Sequence, residues 1–235
     1  MGISKYMFLK KYLSTVLLSV SAIAVAGEAE WRALNDKVMP QLQSGAFKEA
    51  EQFARDSVAE AEKTFGLEHQ NTAFSLSNLA LVLRVQKRLE ESEKHYRRSL
   101  AIRDKTLGAA HPTTALTMLN LADVLQAQKK FAEAEKLQRM VLPIFEKVYG
   151  DDSKTATALN NLGANLQLQT RYKESETYLR RALAMKEKML GPMSPSVAHT
   201  LNNLAEVCEA LGRKEEAIKY RARAVEIHKY ASARA

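Results

Sequence analysis

Residues 111–150 read HPTTALTMLNLADVLQAQKKFAEAEKLQRMVLPIFEKVYG, and this stretch contains one complete structural unit. Its apolar residues recur three and four positions apart on both sides of a polar break at residues 128–130, which is typical of two amphipathic helices. Pro112 suits the first turn of a helix, where its missing N–H costs nothing, and Gly150 suits the left-handed residue that ends a helix. The stretch therefore predicts a helical hairpin without any strand.

The same unit recurs along the chain with a period of about 42 residues. A glycine closes successive units, a tripeptide Asn-Leu-Ala or Asn-Leu-Gly lies in each first helix, and a small residue lies in each second helix. The glycines are Gly66, Gly108, Gly150 and Gly191; the tripeptides begin at Asn78, Asn120, Asn161 and Asn203; the small residues are Ala50, Ser92, Ala134, Ser175 and Ala217. A fixed period of this size indicates a solenoid, because one unit is too small to bury its own apolar face. We predict an all-α fold, a right-handed α-solenoid of about five helix-turn-helix hairpins.

Further details follow from this register. Small residues at 80, 122, 163 and 205 in the first helices are expected where the two helices of a hairpin cross, since a large side chain would push their axes apart. His69, His111, Asp152 and Ser194 are expected to cap the first helices, with Ser194 the better cap. Pro143 falls in the middle of a second helix and predicts a kink near residues 139–143. Arg221 replaces apolar or neutral residues of earlier units, which is reasonable at an uncovered terminal unit.

The first 26 residues differ in kind from the repeats. Lys5, Lys10 and Lys11 precede an uncharged stretch from Tyr12 to Ala26 that ends in small residues, the order of a secretory signal peptide. A helix of that length rises only about 22 Å, against a hydrocarbon core of about 30 Å. We therefore predict that residues 1–26 are a cleaved signal and that the protein is exported, to a bacterial periplasm or beyond. Retention as an inner-membrane anchor, a membrane tether facing the periplasm, stays open.

The remaining chain divides into three predicted parts. Residues 27–45 form a degenerate first helix, because Trp31, Leu34 and Val38 have helical spacing but Pro40 interrupts the pattern. Residues 46–231 form the solenoid, and residues 232–235 a frayed tail.

Composition and motifs exclude several classes of function. The net charge of +8 is spread along the chain without a basic stripe that carries aromatic residues, so nucleic acid is not a predicted partner. Cys208 is the single cysteine, and the five histidines form no pair with metal-ligand spacing, so no metal is expected. No glycine-rich phosphate loop and no acid–base dyad occurs. We predict that the protein is not an enzyme and uses no cofactor or small-molecule substrate.

The repeats resemble a known family. The order of a helix with Asn-Leu-Ala/Gly, a turn, an aromatic residue (Phe47, Phe131 or Tyr172) and Glu-Ala/Ser-Glu is similar to the tetratricopeptide repeat. The 42-residue spacing, the His-Pro and Ser-Pro openings and the Arg180-Arg181-Ala182-Leu183 phrase resemble the kinesin-light-chain type. The resemblance covers roughly residues 46–230, and it implies a concave groove in which asparagines hold extended peptides.

The register predicts which side chains line that groove. They are Asn78, Asn120, Asn161 and Asn203 in one row, Asn160 and Asn202 beside it, Asp123 and Glu206 one turn on, and Arg84, Gln126, Gln167 and Glu209 beyond. An asparagine amide both donates and accepts hydrogen bonds, as a peptide backbone requires. The alternative is that the asparagines bond the neighbouring hairpin and fix the stacking. A basic set that would clamp a terminal carboxylate is not evident, because Arg84 has no basic partner in the next units.

These observations predict a non-catalytic protein-interaction scaffold, or adaptor, of the cell envelope that binds a peptide segment of a partner protein in the groove. The alternative is an architectural or self-associating subunit that acts through the convex face. That face is predicted to carry Arg97, Arg98, Arg139, Arg180, Arg181 and Arg223.

Overall fold

A computed structural model describes residues 25–233 of the protein, and within this range it consists of ten α-helices with no β-strand. The first helix, α1, covers residues 25–43. The others are α2 (Phe47–Phe65), α3 (Gln70–Val85), α4 (Leu89–Leu107), α5 (Pro112–Ala127), α6 (Phe131–Tyr149), α7 (Ser153–Leu168), α8 (Tyr172–Leu190), α9 (Pro195–Ala210) and α10 (Lys214–Ser232). The predicted signal segment lies outside the described residues, apart from its last two positions, as do residues 234 and 235.

The chain forms two compact units that meet in sequence at Thr106 and Leu107. The first contains α1 to α4, where α2 packs against α3. The second contains α5 to α10, in which each helix packs against the next one along the chain. The first helices of successive hairpins also touch, α5 with α7 and α7 with α9. The prediction of an all-α solenoid of five hairpins is confirmed.

Side chains cap three of the first helices as the sequence predicts. His69, His111 and Asp152 each accept a hydrogen bond from the backbone N–H two residues further on. Ser194 was expected to be the better cap, and this expectation is wrong, because its hydroxyl makes no capping hydrogen bond. Its backbone carbonyl accepts from the N–H of Val197 at 2.9 Å.

The turns inside the hairpins use a left-handed residue at one repeated position. Glycine occupies it in the first and last hairpins, at Gly45 and Gly212. The other three hairpins place Lys87, Lys129 and Thr170 there, with φ values of 65°, 64° and 62°. Residues other than glycine adopt this conformation at a cost in free energy, because their Cβ is crowded by the backbone. The geometry of the hairpin therefore overrides the conformational preference of these three residues.

Small residues lie where paired helices cross, as predicted. Ala80, Ala122, Gly163 and Ala205 in the first helices are buried, as are their counterparts in the second helices. The hydroxyl of Ser175 donates to the carbonyl of Gly163 at 2.6 Å, so the two backbones are in close contact. A Cβ on Gly163 would lie 2.7 Å from Cγ of Leu179, which real structures essentially never show. The α7–α8 crossing therefore requires glycine.

The two prolines in helix interiors, Pro40 and Pro143, do not end their helices. α1 continues helical through Pro40 to residue 43, and it packs firmly, because Val38 is fully buried and Trp31 Nε1 donates to Ser75 Oγ at 2.8 Å. α6 likewise remains helical from Phe131 to Tyr149 through Pro143. The kink expected there stays a prediction.

Candidate functional site

A polar cavity of about 330 Å³ lies on the first helices of the second unit. Its polar lining comes from α5, α7 and α9 and consists of Asp123, Gln126, Asn160, Asn161 and His199. Four of these five are residues that the register placed in the groove. His199 was not predicted, because its counterparts in other repeats are Phe74, Leu116 and Thr157, which share no polar character.

Side-chain hydrogen bonds from asparagines of the row link successive hairpins. Nδ2 of Asn161 donates to Oδ1 of Asp123 at 3.0 Å, and Nδ2 of Asn203 donates to Oδ1 of Asn160 at 3.4 Å. In the first unit, Nδ2 of Asn78 donates to Oδ1 of Asn35 at 3.1 Å. The stacking role that the sequence left open is therefore present in the structure.

Asn160 is held by a chain of hydrogen bonds that begins at a buried lysine. Lys186, on α8, is only 5% exposed, and its Nζ donates to Oγ1 of Thr200 at 2.9 Å. The Thr200 hydroxyl contacts Oδ1 of Asn160 at 3.0 Å and the carbonyl of Ser196 at 3.4 Å. An ammonium group only donates, so the hydroxyl proton is left for the shorter contact, to Asn160.

This chain fixes the direction of the Asn160 amide. Its Oδ1 accepts from Thr200 and Asn203, so its Nδ2 is the atom left for the cavity. For Asn161 the assignment is reversed, since its Nδ2 is used by Asp123 and its Oδ1 is left to accept. Adjacent residues thus offer one donor and one acceptor. Burial lowers the pKa of Lys186, because the charged amine has lost much of its hydration.

The other predicted groove residues occupy the first helices without entering this cavity. Nε2 of Gln167 donates to Glu206, and Glu209 forms an ion pair with Arg221 of α10. Asn120 and Asn202 are half-buried on α5 and α9. Asn78 and Arg84 lie on α3 and belong to the first unit.

The second helices carry a recurring set of ion pairs, which we call the ion ladder. In each rung, a glutamate of a second helix accepts from an arginine one turn further along the same helix. It also accepts from an arginine in the loop between the two helices of the next hairpin. The first arginine in addition pairs with a glutamate in the second helix of that next hairpin. The rungs are Glu51, Arg55, Arg88 and Glu91 in the first unit, and Glu135, Arg139, Arg171 and Glu174 followed by Glu176, Arg180, Arg213 and Glu216 in the second.

The arginines assigned to the convex face are all engaged within the chain. Arg139 and Arg180 belong to the ion ladder, and Arg97 pairs with Glu93. The remaining three pair with glutamates of the preceding second helix, Arg98 with Glu62, Arg181 with Glu146 and Arg223 with Glu187. Their arrangement is explained by stacking alone.

Among the described residues, one group of potential metal ligands includes two glutamates of the ion ladder. Glu176, Cys208 and Glu216 bring their ligand atoms within 4.8 Å of one another. Both carboxylates already pair with Arg180 and Arg213, and Cys208 is buried, which raises the pKa of its thiol. The group is therefore explained as part of the packed ladder. Over residues 25–233, none of the helices has the length and apolar character needed to cross a membrane.

These features define a helical-repeat protein of the α-solenoid class, with a polar face on its first helices. The profile of the family described as tetratricopeptide repeat matches residues 75–147, 113–188 and 154–229, which together span more than half of the chain. The chain therefore belongs to the tetratricopeptide repeat family.

Solved structures show the same fold at low sequence identity. Nearly identical TPR-like repeats of a Podosopora anserina protein designated a kinesin light chain are 24% identical with a TM-score of 0.73, over 85% of this chain and 95% of that one. BtubC (BKLC) from P. vanneervenii is 21% identical with a TM-score of 0.75, over 91% of each chain. The repeats are thus similar to the kinesin-light-chain type, as the sequence indicated.

A further structural neighbour is aspartyl phosphate phosphatase F from Bacillus subtilis, at 16% identity and a TM-score of 0.73. This chain covers just over half of that protein, 56%. No curated protein matches the chain.

Proposed function

We propose that the protein is a non-catalytic interaction scaffold that binds an extended segment of a partner protein along the first helices of its second unit. The observation that carries the proposal is the pair Asn160 and Asn161, which offers a donor and an acceptor at one cavity. A peptide backbone presents both a carbonyl acceptor and an N–H donor, so it can bond to such a pair. The tetratricopeptide fold supports a protein partner in general.

The lining of the cavity also favours a peptide over a reactive substrate. Among the residues that line it, His199 and Asp123 are the titratable groups, and no serine, cysteine or lysine nucleophile accompanies them. The convex face is a weaker candidate, because the arginines that would serve it are engaged in ion pairs within the chain.

The groove is tested with a phage-displayed library of random peptides, from which binders to the wild-type protein are selected and their affinities measured by calorimetry. We expect Asn160→Ala with Asn161→Ala to weaken selected peptides about tenfold, since two hydrogen bonds of 0.5–1.5 kcal/mol each are lost. Gln52→Ala, an exposed change on α2, is the control. Peptides that bind the double variant as tightly as the wild type would exclude this site.

The role of the buried lysine is tested with Lys186→Met in the same assay. Methionine keeps the volume but removes the donor, so the Thr200 hydroxyl is free to donate to the carbonyl of Ser196 instead, and the Asn160 amide can then turn. We expect weaker peptide binding of several-fold with a circular dichroism spectrum like that of the wild type. An unchanged peptide affinity would show that Lys186 does not influence binding in the groove.

We also propose that the scaffold acts in the cell envelope, after export and removal of residues 1–26. The basic and apolar order of these residues supports this proposal, and an inner-membrane anchor is its alternative. Mass spectrometry of the native protein decides between the two. A chain that begins at Gly27 is expected, and one that retains Met1 would contradict cleavage.

A further inference from the structure

The last helix, α10, departs from the repeat on the face that earlier second helices turn toward the next hairpin. Val225 takes the position of Leu142 and Leu183, which are 8% and 9% exposed, yet it is 51% exposed itself. Ile218 takes the position of the ladder glutamates Glu135 and Glu176 and is 64% exposed. Ala222 replaces the arginine of the ladder one turn on. The open face of α10 thus carries an apolar stripe of Ile218, Ala222 and Val225.

The first helix shows what a solvated terminal face looks like in this chain. Glu30, Ala33 and Lys37 of α1 are exposed, at positions where α3 buries Thr72, Ser75 and Leu79. Terminal repeats need such a polar outer face for solubility. The stripe on α10 is apolar instead, and among its charged neighbours Arg221 is drawn aside by an ion pair with Glu209 of α9. The open face of α10 therefore has the apolar character of a surface that packs against another helix.

The charges at the two ends of the stripe indicate what covers it. Glu215 in the first turn and Lys229 in the last turn are both exposed and lie in line with the stripe. A second α10 in antiparallel orientation brings Glu215 opposite the partner's Lys229. The two-fold symmetry repeats this pair with the roles of the two copies exchanged. The antiparallel orientation also places Ile218 on the partner's Val225, since these residues are two helical turns apart. A parallel pairing of the two α10 helices would bring like charges together. If α1 of a second copy packed on the stripe instead, its charged side chains would lie against apolar ones.

We propose that the open face of α10 binds the same face of a second copy of this chain, which gives a two-fold dimer through antiparallel α10 helices. The interface is separate from the first-helix groove, so it leaves the proposed peptide site accessible. A contact through one helix per subunit is at the small end of specific interfaces, so we expect a dimer that dissociates on dilution.

Sedimentation equilibrium of the protein with its natural N-terminus, over a wide range of concentration, tests the proposal. The wild type is expected to approach twice its monomer mass, and Ile218→Glu or Val225→Glu to raise the dissociation constant at least tenfold. Val148→Glu is the control, because Val148 is similarly exposed on α6. Circular dichroism establishes that each variant is folded.

Charge reversal tests the orientation of the two helices. Glu215→Lys alone is expected to weaken the dimer, and the double variant Glu215→Lys with Lys229→Glu to restore it, because the two charges meet across the interface. A wild-type protein that stays monomeric throughout, including one that uses this face to bind a different protein, would overturn the proposal. So would a dimer insensitive to Ile218→Glu, or one that the second reversal does not restore.

Discussion

At Gly163, one hydrogen atom in place of a methyl group decides how α7 and α8 cross. We predict that Gly163→Ala lowers the free energy of unfolding by about 1–3 kcal/mol, since the new Cβ overlaps the Leu179 side chain. Chemical denaturation measures the change. Leu179→Ala removes the overlapping atoms but leaves a cavity, so the double variant should lose less than the sum of the single losses. Strict additivity would mean that the two side chains do not meet.

Thr170 and Lys186 show that single residues in this chain depart from the repeat for different reasons. Thr170 takes a left-handed conformation because the hairpin turn imposes it, whatever residue stands there. Lys186 replaces Phe145 of the preceding unit and stays buried because Thr200 and the carbonyl of Ser196 accept its hydrogen bonds. The departure at Thr170 only costs conformational free energy. The departure at Lys186 creates the hydrogen-bond chain that reaches the cavity.

At the scale of elements, the ion ladder joins each second helix of a unit to the next. Glu135 illustrates its electrostatics, because burial raises the pKa of the carboxyl group while hydrogen bonds from Arg139, Gln169 and Arg171 lower it. The hydrogen bonds outweigh burial, so the pKa lies below its ordinary value of 4.5. The ionised form is therefore the one that stabilises the packed helices, and its contribution is present above pH 4.5 and is lost as the pH falls through the lowered pKa.

We predict that Glu135→Gln lowers the free energy of unfolding at neutral pH by about 1–2 kcal/mol, because two charge-assisted contacts with arginines are lost. The difference from the wild type should shrink as the pH falls below 4.5, which urea denaturation across a pH series measures. Glu49→Gln, an exposed change on α2, serves as the control. A difference that stays constant down to strongly acidic pH would show that the carboxylate charge is not what matters.

At the scale of the whole molecule, stability in a repeat protein depends on how many neighbours a helix has. In the second unit α8 packs against both α7 and α9, whereas the described contacts of α10 are with α9. We predict that backbone amides of α10 exchange with deuterium faster than those of α8, as mass spectrometry of peptide fragments resolves. The exchange is measured at low protein concentration, because a dimer through α10 would itself protect the amides of that helix. Equal protection of both helices would indicate global unfolding as the only route to exchange.

Most of the fold follows from the sequence because its signals are repeated. The glycines, the small residues and the spacing of apolar side chains each occur several times, so chance agreement is excluded. The contact between Asn203 and Asn160 also recurs, since Asn78 contacts Asn35 at the same separation of 43 residues. The sequence left its role open only because an asparagine amide fits both a peptide and a neighbouring helix.

The hydrogen-bond chain that reaches the cavity is repeated only in part, since Asn35 also contacts a hydroxyl 40 residues further on, that of Ser75, but the link from a buried lysine occurs once among the described residues. Lys186 contacts Thr200 across 14 positions, and Thr200 contacts Asn160 across 40. Among the counterparts of Lys186, Arg103 and His228 are polar but Phe145 is not, so the repeat predicts no hydrogen bond from this position. The capping bond of Ser194 is missing although serine is a favourable residue at this position, so residue type alone does not predict a cap.

The ion ladder also has a consequence for how such a chain changes length. Every rung in the second unit is completed by the following hairpin in the same way, so a duplicated 42-residue segment inserted in register would find ready partners on both sides. A hairpin lost by deletion would likewise leave matching charges to join. We therefore expect whole modules to be gained or lost inside the array at little electrostatic cost. The final module lacks the glutamate and arginine that begin a rung, so a hairpin placed after it would find no such pair.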